Sequence, residues 1–199
     1  MLEQNTQIVR SRKRWFLSIM AGAAVLIGLD QYTKMLALEH LQYGIPVPVF
    51  EPWLSWTLVY NYGAAFSFLA QAGGMQHWLF VAIAAAAALL LPVWIRKLDQ
   101  HRWLMAVALA LIWSGATGNL IDRLRYRYVV DFVHVHWKDV WNYPVFNVAD
   151  SAITIGAVML IVYELFFAKK LEARLSAEQD ENKPDSGIAS VSPTDSNKR

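Results

Sequence analysis

The chain contains no cysteine. That excludes disulfides, a thiolate nucleophile and any cysteine-ligated metal, and it leaves the redox compartment unreadable. Charge is also scarce: charged residues make up 17% of the 199, against roughly 25% in soluble domains. The scarcity is local. Trp15 to Leu29, Pro52 to Ile95 and Trp103 to Ile121 carry no charge, and Val140 to Tyr163 carries only Asp150. Since about 20 mostly apolar residues span a bilayer, these runs predict an integral membrane protein with several helices. The net charge of +2 points to no partner class, and nucleic acid is not expected as one. No internal repeat is visible.

What charge there is sits at the ends of the runs. Arg10, Arg12, Lys13 and Arg14 precede the first; Arg96, Lys97 and Arg102 separate the second and third; Lys169 and Lys170 follow the last. Positive residues mark the cytoplasmic side. The pattern predicts four helices, about 15–35, 77–95, 103–122 and 146–168, with both termini in the cytoplasm. The first carries its small residues, Ala21 to Ala24, inside the apolar run, so it reads as a retained helix and not as a cleaved signal peptide. Residues 1–14 then form a cytoplasmic segment, 15–170 the membrane domain and 171–199 a cytoplasmic tail. From about Ser176 that tail is rich in Ser, Asp, Lys and Pro, the composition of disorder.

Two outer elements connect the helices. "VPVFEPWLSWTLVY" is rich in β-branched and aromatic residues broken by prolines, which favours strands, so 36–76 reads as an outer-face element with short strands. "YRYVVDFVHVHW" in the loop 123–145 predicts another strand, with Val129, Asp131, Val133 and Val135 on one face. His134 and His136 share the opposite face and resemble two metal ligands, but no third ligand is evident, so no metal is expected. This topology leaves Arg123, Arg125 and Arg127 outside, against the charge rule, so they need another reason for their position.

Polar residues within the runs converge on one depth. Asp30 lies about 16 residues beyond Arg14, Asn119 about 17 beyond Arg102 and Asp150 about 19 before Lys169, each roughly 24–28 Å at 1.5 Å per residue. All three therefore reach the outer boundary of a hydrocarbon core about 30 Å thick. Ionisable groups at such depth are functional candidates. Asn147, Asp150 and Ser151 share a face of the fourth helix, and Asn119, Asp122 and Arg123 share one on the third. Gly115 and Gly118 allow close helix approach. Asp30 with Lys34 also reads as a helix-end ion pair, Asp150 as a helix cap, and the tryptophans as an interfacial belt.

Two acids that share a site cannot both ionise cheaply, so the pair holds one proton. The ionised member can deprotonate a water while the protonated member donates to a carbonyl oxygen. Asp30, Asp122 and Asp131 all qualify as the partner of Asp150 on spacing alone. A proton relay built from Asp30, Asp122 and Asp150, as in a small transporter or channel, is the main alternative; it calls for ionisable groups at several depths. A non-catalytic assembly subunit is a third reading, and it leaves Asp131 without a role.

The motifs "NYGAAFSF", "GNLIDR", "VVDFV" and "FNVADSAI" occur in this order, with "DQYTK" at the outer end of the first helix. Together with four spans they resemble the lipoprotein signal peptidases (signal peptidase II) of bacteria, from about Arg14 to Lys170. The resemblance implies an all-α membrane fold of four transmembrane helices with a small extracytoplasmic β-cradle and an outer helix. It implies an aspartic endopeptidase of the bacterial inner membrane that removes the signal peptide from prolipoproteins, cutting before a diacylglyceryl-modified cysteine. It makes Asp131 and Asp150 catalytic. It gives Asn61, Asn119, Arg123 and Asn147 the task of holding substrate or orienting the acids, with Asp30, Lys34, Asp122, Gly63 and Ser151 in support. No cofactor is implied; the partners are the substrate and membrane lipid, and the molecule is expected to act as a monomer. Ser114 and Thr117 stand where Gly and Leu are common in the family.

Overall fold

A computed structural model describes residues 2–63, 75–138, 140–168, 170, 173, 174, 176 and 177, with side chains from Arg12 onward. The elements are α1 (Leu2–His40), β1 (Val47–Phe50), β2 (Leu54–Asn61), α2 (Met75–Lys97), a 3-10 turn (Gln100–Arg102), α3 (Trp103–Tyr126), β3 (Val129–Trp137), β4 (Trp141–Asn142) and α4 (Val148–Val162), which continues as a π-helical segment (Tyr163–Phe167). Four helices are long and apolar enough to cross a membrane: Arg12–His40, Met75–Lys97, Gln100–Tyr126 and Val148–Phe167. The expected tail lies outside the described residues except for Ser176 and Ala177, as do residues 64–74 of the outer element.

Helix ends differ from expectation in an instructive way. The first helix runs to His40, through a stretch expected to be an outer-face element, because "MLALEH" consists largely of strong helix formers with no breaker. The third runs to Tyr126, so Arg123 and Arg125 belong to its last turns and not to a loop. It stops where Arg127 adopts φ 68°, and the Arg127 N–H closes onto the Arg123 carbonyl, the left-handed ending common at helix C-termini. The fourth begins at Val148, with Asn147 as its cap. Among the described residues of the two outer connections, 41–63 and 127–147, no helix is present.

α3 is the central helix, packing on α1, α2 and α4. Small residues make this possible. A Cβ on Gly115 would run into the Ala149 carbonyl, one on Gly118 into the Asp30 carboxylate, and one on Gly156 of α4 into the Ala108 carbonyl. The α3–α4 approach is thus set by backbone against backbone. The outward faces are apolar, with Ile83, Leu89, Leu90, Leu165 and Phe166 exposed, as lipid-facing residues are.

The four strands form one antiparallel sheet in the order β1-β2-β3-β4. In β3, strict alternation fails: Val129, Val130, Asp131 and Phe132 are all buried, because α1 and α3 pack on the strand while β2 pairs along its edge. Val130 and Phe132 pack with Ala37 of α1 and Leu58 of β2. The outer part of the sheet is different. Val47, Val49, Phe50, Trp53, Trp56, Trp137 and Trp141 are exposed apolar residues on it.

Candidate active site at the sheet end of the bundle

The start of α4 organises the site. Asn147 is extended, at φ −132° and ψ −175°, and its side-chain oxygen accepts from the Asp150 N–H at 2.8 Å. The Asp150 carboxylate accepts in return from the Asn147 N–H at 3.3 Å, a capping box. The cap reading of Asp150 therefore holds. Its other carboxylate oxygen points away from the cap and accepts from Asn119 Nδ2 of α3 at 2.7 Å. Ser151 donates to the Asn147 carbonyl at 3.0 Å, bracing the same turn.

Asp131 reaches this cluster from the sheet. The β2–β3 register pairs Val59 with Asp131 and Asn61 with Val129, so Asn61 is the diagonal neighbour of Asp131 on the same face. Asn61 Nδ2 donates to Asp131 Oδ2 at 2.9 Å. The Asn61 side-chain oxygen in turn accepts from the Gly63 N–H at 2.8 Å. Gly63 has φ 92°, and an added Cβ would strike the Phe80 ring, so this turn requires glycine. On the other side, Asn147 Nδ2 donates to Asp131 Oδ1 at 2.7 Å. Asn147 is wholly buried and touches both acids, one with its side-chain amide and the other with its backbone.

Asp30, Lys34 and Asp122 form a cation-centred network, which Asn119 joins to the Asp131 and Asp150 cluster. The Lys34 ammonium meets Asp30 Oδ2 at 2.9 Å, Asp122 Oδ2 at 2.9 Å and Asn119 Oδ1 at 3.0 Å, which uses all three of its donors. Asp30 also accepts from the Ala149 N–H of α4 at 2.9 Å, and Asp122 from the Val130 N–H of β3 at 3.1 Å. Gln31 donates to Asp122 at 2.9 Å, and its amide also lies within reach of Asp30 and the Gly118 carbonyl. Asp30, Lys34 and Asp122 are each at most 2% exposed. They tie α1, α3, α4 and β3 together, with one ammonium shared between two carboxylates.

This partition separates the three possible partners of Asp150. Asp30 and Asp122 each have a cation in contact. Among the described residues, Asp131 has only the amides of Asn61 and Asn147 as side-chain partners. Burial, followed by repulsion from Asp150, pushes its pKa up to about 7. The donors from Asn61 and Asn147 oppose the rise.

Arg123 sits half-buried on the last turns of α3. Its guanidinium donates to the Asn119 carbonyl at 3.4 Å and lies over the Phe80 ring, 5.1 Å from the centroid. Phe80 and Gln31 are contributors that sequence reasoning did not single out. Phe80 lies in an uncharged helix that gives no polar signal, whereas Gln31 could have been found from its place between Asp30 and Lys34. His134 and His136 do share a face, with ring centroids 4.8 Å apart. They are half-buried and contact the hydroxyls of Thr57 and Ser55 at 3.2 and 2.9 Å. Among the described residues no group of three or more potential metal ligands is found.

Four helices able to cross a membrane, with buried carboxylates gathered at one end, define a multi-pass membrane protein. Residues 22–166 match the family model described as signal peptidase (SPase) II. A lipoprotein signal peptidase of Acinetobacter baylyi is 45% identical over 163 residues, covering 81% of this chain and 90% of that one. Another, of Pseudomonas paraeruginosa, is 49% identical over 142 residues, covering 71% and 83%. A bacterial membrane enzyme solved by the in meso method at 1.9 Å resolution matches with a TM-score of 0.66 and 29% identity, covering 76% of this chain and 94% of that one. The chain belongs to the signal peptidase II family and is a peptidase.

Proposed function

We propose that Asp131 and Asp150 jointly activate the water with which this chain removes signal peptides from prolipoproteins. The observation that carries this reading is the partition of the acids. Asp30 and Asp122 share the Lys34 ammonium, while Asp131 and Asp150 are joined through Asn147. An acid already satisfied by a buried ammonium is a poor base; one held by neutral amides beside a second carboxyl can share a proton with it. The ionised member takes a proton from water as the oxygen attacks the scissile carbonyl. The protonated member donates to the carbonyl oxygen of the tetrahedral intermediate, and a proton then passes to the departing amine.

The polar neighbours divide by what they have left to offer. Asn119 and Asn147 are buried with their side chains engaged inside the protein, which makes them orienting residues. Arg123, whose guanidinium among the described residues donates only to the Asn119 carbonyl and lies over the Phe80 ring, is the group to meet a substrate carbonyl, and Asn61 edges the site. The peptide substrate lies between sheet and bundle, with cleavage before a diacylglyceryl-modified cysteine whose acyl chains remain in the lipid. The enzyme works as a monomer in the bacterial inner membrane.

The pair's acid limb and alkaline limb follow from its shared proton. With the Asp131 carboxyl at about pKa 7, loss of the second proton lowers the cleavage rate above neutral pH. The Asn61 amide stabilises the carboxylate, so Asn61→Leu raises this pKa and moves the alkaline limb to higher pH. A pH–rate profile of the variant with an unmoved or lowered limb would contradict the assignment.

Basic residues Arg12, Lys13, Arg14, Arg96, Lys97, Arg102 and Lys170 gather at the end of the bundle away from the sheet. The charge rule therefore puts both termini in the cytoplasm and the acids at the outer face. The absence of cysteine gives a clean background for testing this. Cysteine replacing the exposed Glu51 is expected to react with a membrane-impermeant maleimide in spheroplasts, and cysteine replacing Lys97 only after lysis. The reverse pattern would invert the topology.

A further inference from the structure

A second site lies at the opposite end of the bundle from the carboxylates. There the 3-10 turn, the start of α3 and the end of α4 enclose a cavity of about 250 Å³. Lys170 and Arg174 give one part of its lining a cationic character, with His101 beside them, and Trp103, Leu104 and Phe167 make the other part apolar. Tyr163, the first residue of the π-helical segment, also lines it.

Tyr163 is the informative residue. It is only 3% exposed, yet its hydroxyl is buried with no hydrogen-bond partner among the described residues. Buried hydroxyls are almost always satisfied, and π-helical turns inside α-helices occur often at functional sites. Tyr163, Phe167, Lys170 and Arg174 recur at helical spacing, so the hydroxyl and both cations face the same space. Neither Lys170 nor Arg174 has an ion-pair partner among the described residues. The cavity thus offers a hydrogen-bond donor and two cations, unpaired among the described residues, to something with acceptor oxygens and negative charge.

We propose that this cavity binds the phosphate headgroup of an anionic phospholipid. Lys170 and Arg174 face the phosphate, the Tyr163 hydroxyl donates to a headgroup oxygen, and His101 flanks it. Trp103 and Phe167, 58% and 49% exposed, lie along the upper acyl chain. That apolar wall is what favours a lipid over a free phosphate ion, which has no use for it. Aromatic residues at the level of the headgroups and basic residues beside them are the usual means of holding such lipids.

The test uses the full chain purified in a zwitterionic or neutral detergent. Thermal unfolding is followed with added phosphatidylglycerol, phosphatidylcholine or millimolar inorganic phosphate, and retained lipid is counted by native mass spectrometry. Phosphatidylglycerol is expected to raise the midpoint by several degrees more than phosphatidylcholine and to leave one lipid bound. Inorganic phosphate is expected to do neither. Tyr163→Phe and the double variant K170Q/R174Q are expected to lose at least half of the lipid-specific shift. Because Lys170 and Arg174 are exposed, the double variant reports even if Tyr163→Phe fails to fold. Signal-peptide release in lipid-free detergent should be unchanged in the double variant, since the acids are at the other end. An equal shift with inorganic phosphate would overturn the lipid assignment. A lipid shift absent from the wild type, or undiminished in the double variant, would overturn the site.

Discussion

Asp131→Asn and Asp150→Asn are each expected to cut signal-peptide release by at least about a hundredfold, the lower end of what general acid–base groups contribute. The substrate is a diacylglyceryl-modified prolipoprotein in detergent, and the measurement is the initial rate of release. Either acid alone lacks half of the proton exchange, so the double variant should be little worse than the singles. A stability measurement separates this from simple misfolding. The folded-state pKa of Asp131 lies above the ordinary carboxyl value of 3.8, at about 7. The folded protein therefore holds this proton more tightly than the unfolded chain does. The resulting stability is fully present below about pH 4 and is lost as pH rises through 7. Wild-type melting temperature should fall over that window for this reason, and Asp131→Asn should flatten that fall. Full activity in either variant would end the case for the pair.

Lys34→Met is expected to have the largest effect on stability. It removes the cation from two carboxylates that are each 1% exposed, Asp30 and Asp122. Breaking a buried ion pair from one side costs about 3–5 kcal/mol, which for a chain of this size shifts the melting temperature on the order of 10 °C. Activity falls with it, since Asn119 loses the Lys34 contact to its side-chain oxygen while its amide still has to position Asp150. Adding Asp30→Asn and Asp122→Asn to Lys34→Met should recover part of the loss, because neutral amides tolerate the missing charge. If the triple variant melts no higher than Lys34→Met, packing of the lysine stem, and not its charge, is what matters there. Differential scanning fluorimetry in detergent decides between the two.

The helices were legible because uncharged runs of membrane length need no tertiary information. Their ends were not: "MLALEH" continues α1 as far as His40, and α3 carries Arg123 on its last turns, both decided by local propensity beyond the membrane boundary. The depth at which Asp30, Asn119 and Asp150 meet was also readable, from rise per residue alone. Which acid faces which was not. The pairing of Asp131 with Asp150 depends on the β2–β3 register and on how β3 docks against the start of α4, and neither is written in spacing; motif resemblance supplied it. The Asp30–Lys34 pair was visible at i,i+4, but its third member, Asp122, depends on how α1 and α3 are rotated against each other. Alternation in β3 misleads at Val130 and Phe132 because α1 and α3 both pack on that strand.

The exposed aromatic and aliphatic residues of the sheet have a mechanical consequence. Phe50, Trp53, Trp56, Trp137 and Trp141 form a plate that is stable at a headgroup boundary and unstable in open water. Such a plate fixes the molecule's height from one side. When the bilayer thickens or thins, the adjustment falls on the far, arginine- and lysine-bearing helix ends, whose long side chains can follow the surface. The acids keep a constant distance from the plate, and so from any lipid-anchored cysteine seated at that same boundary, whatever membrane the molecule occupies.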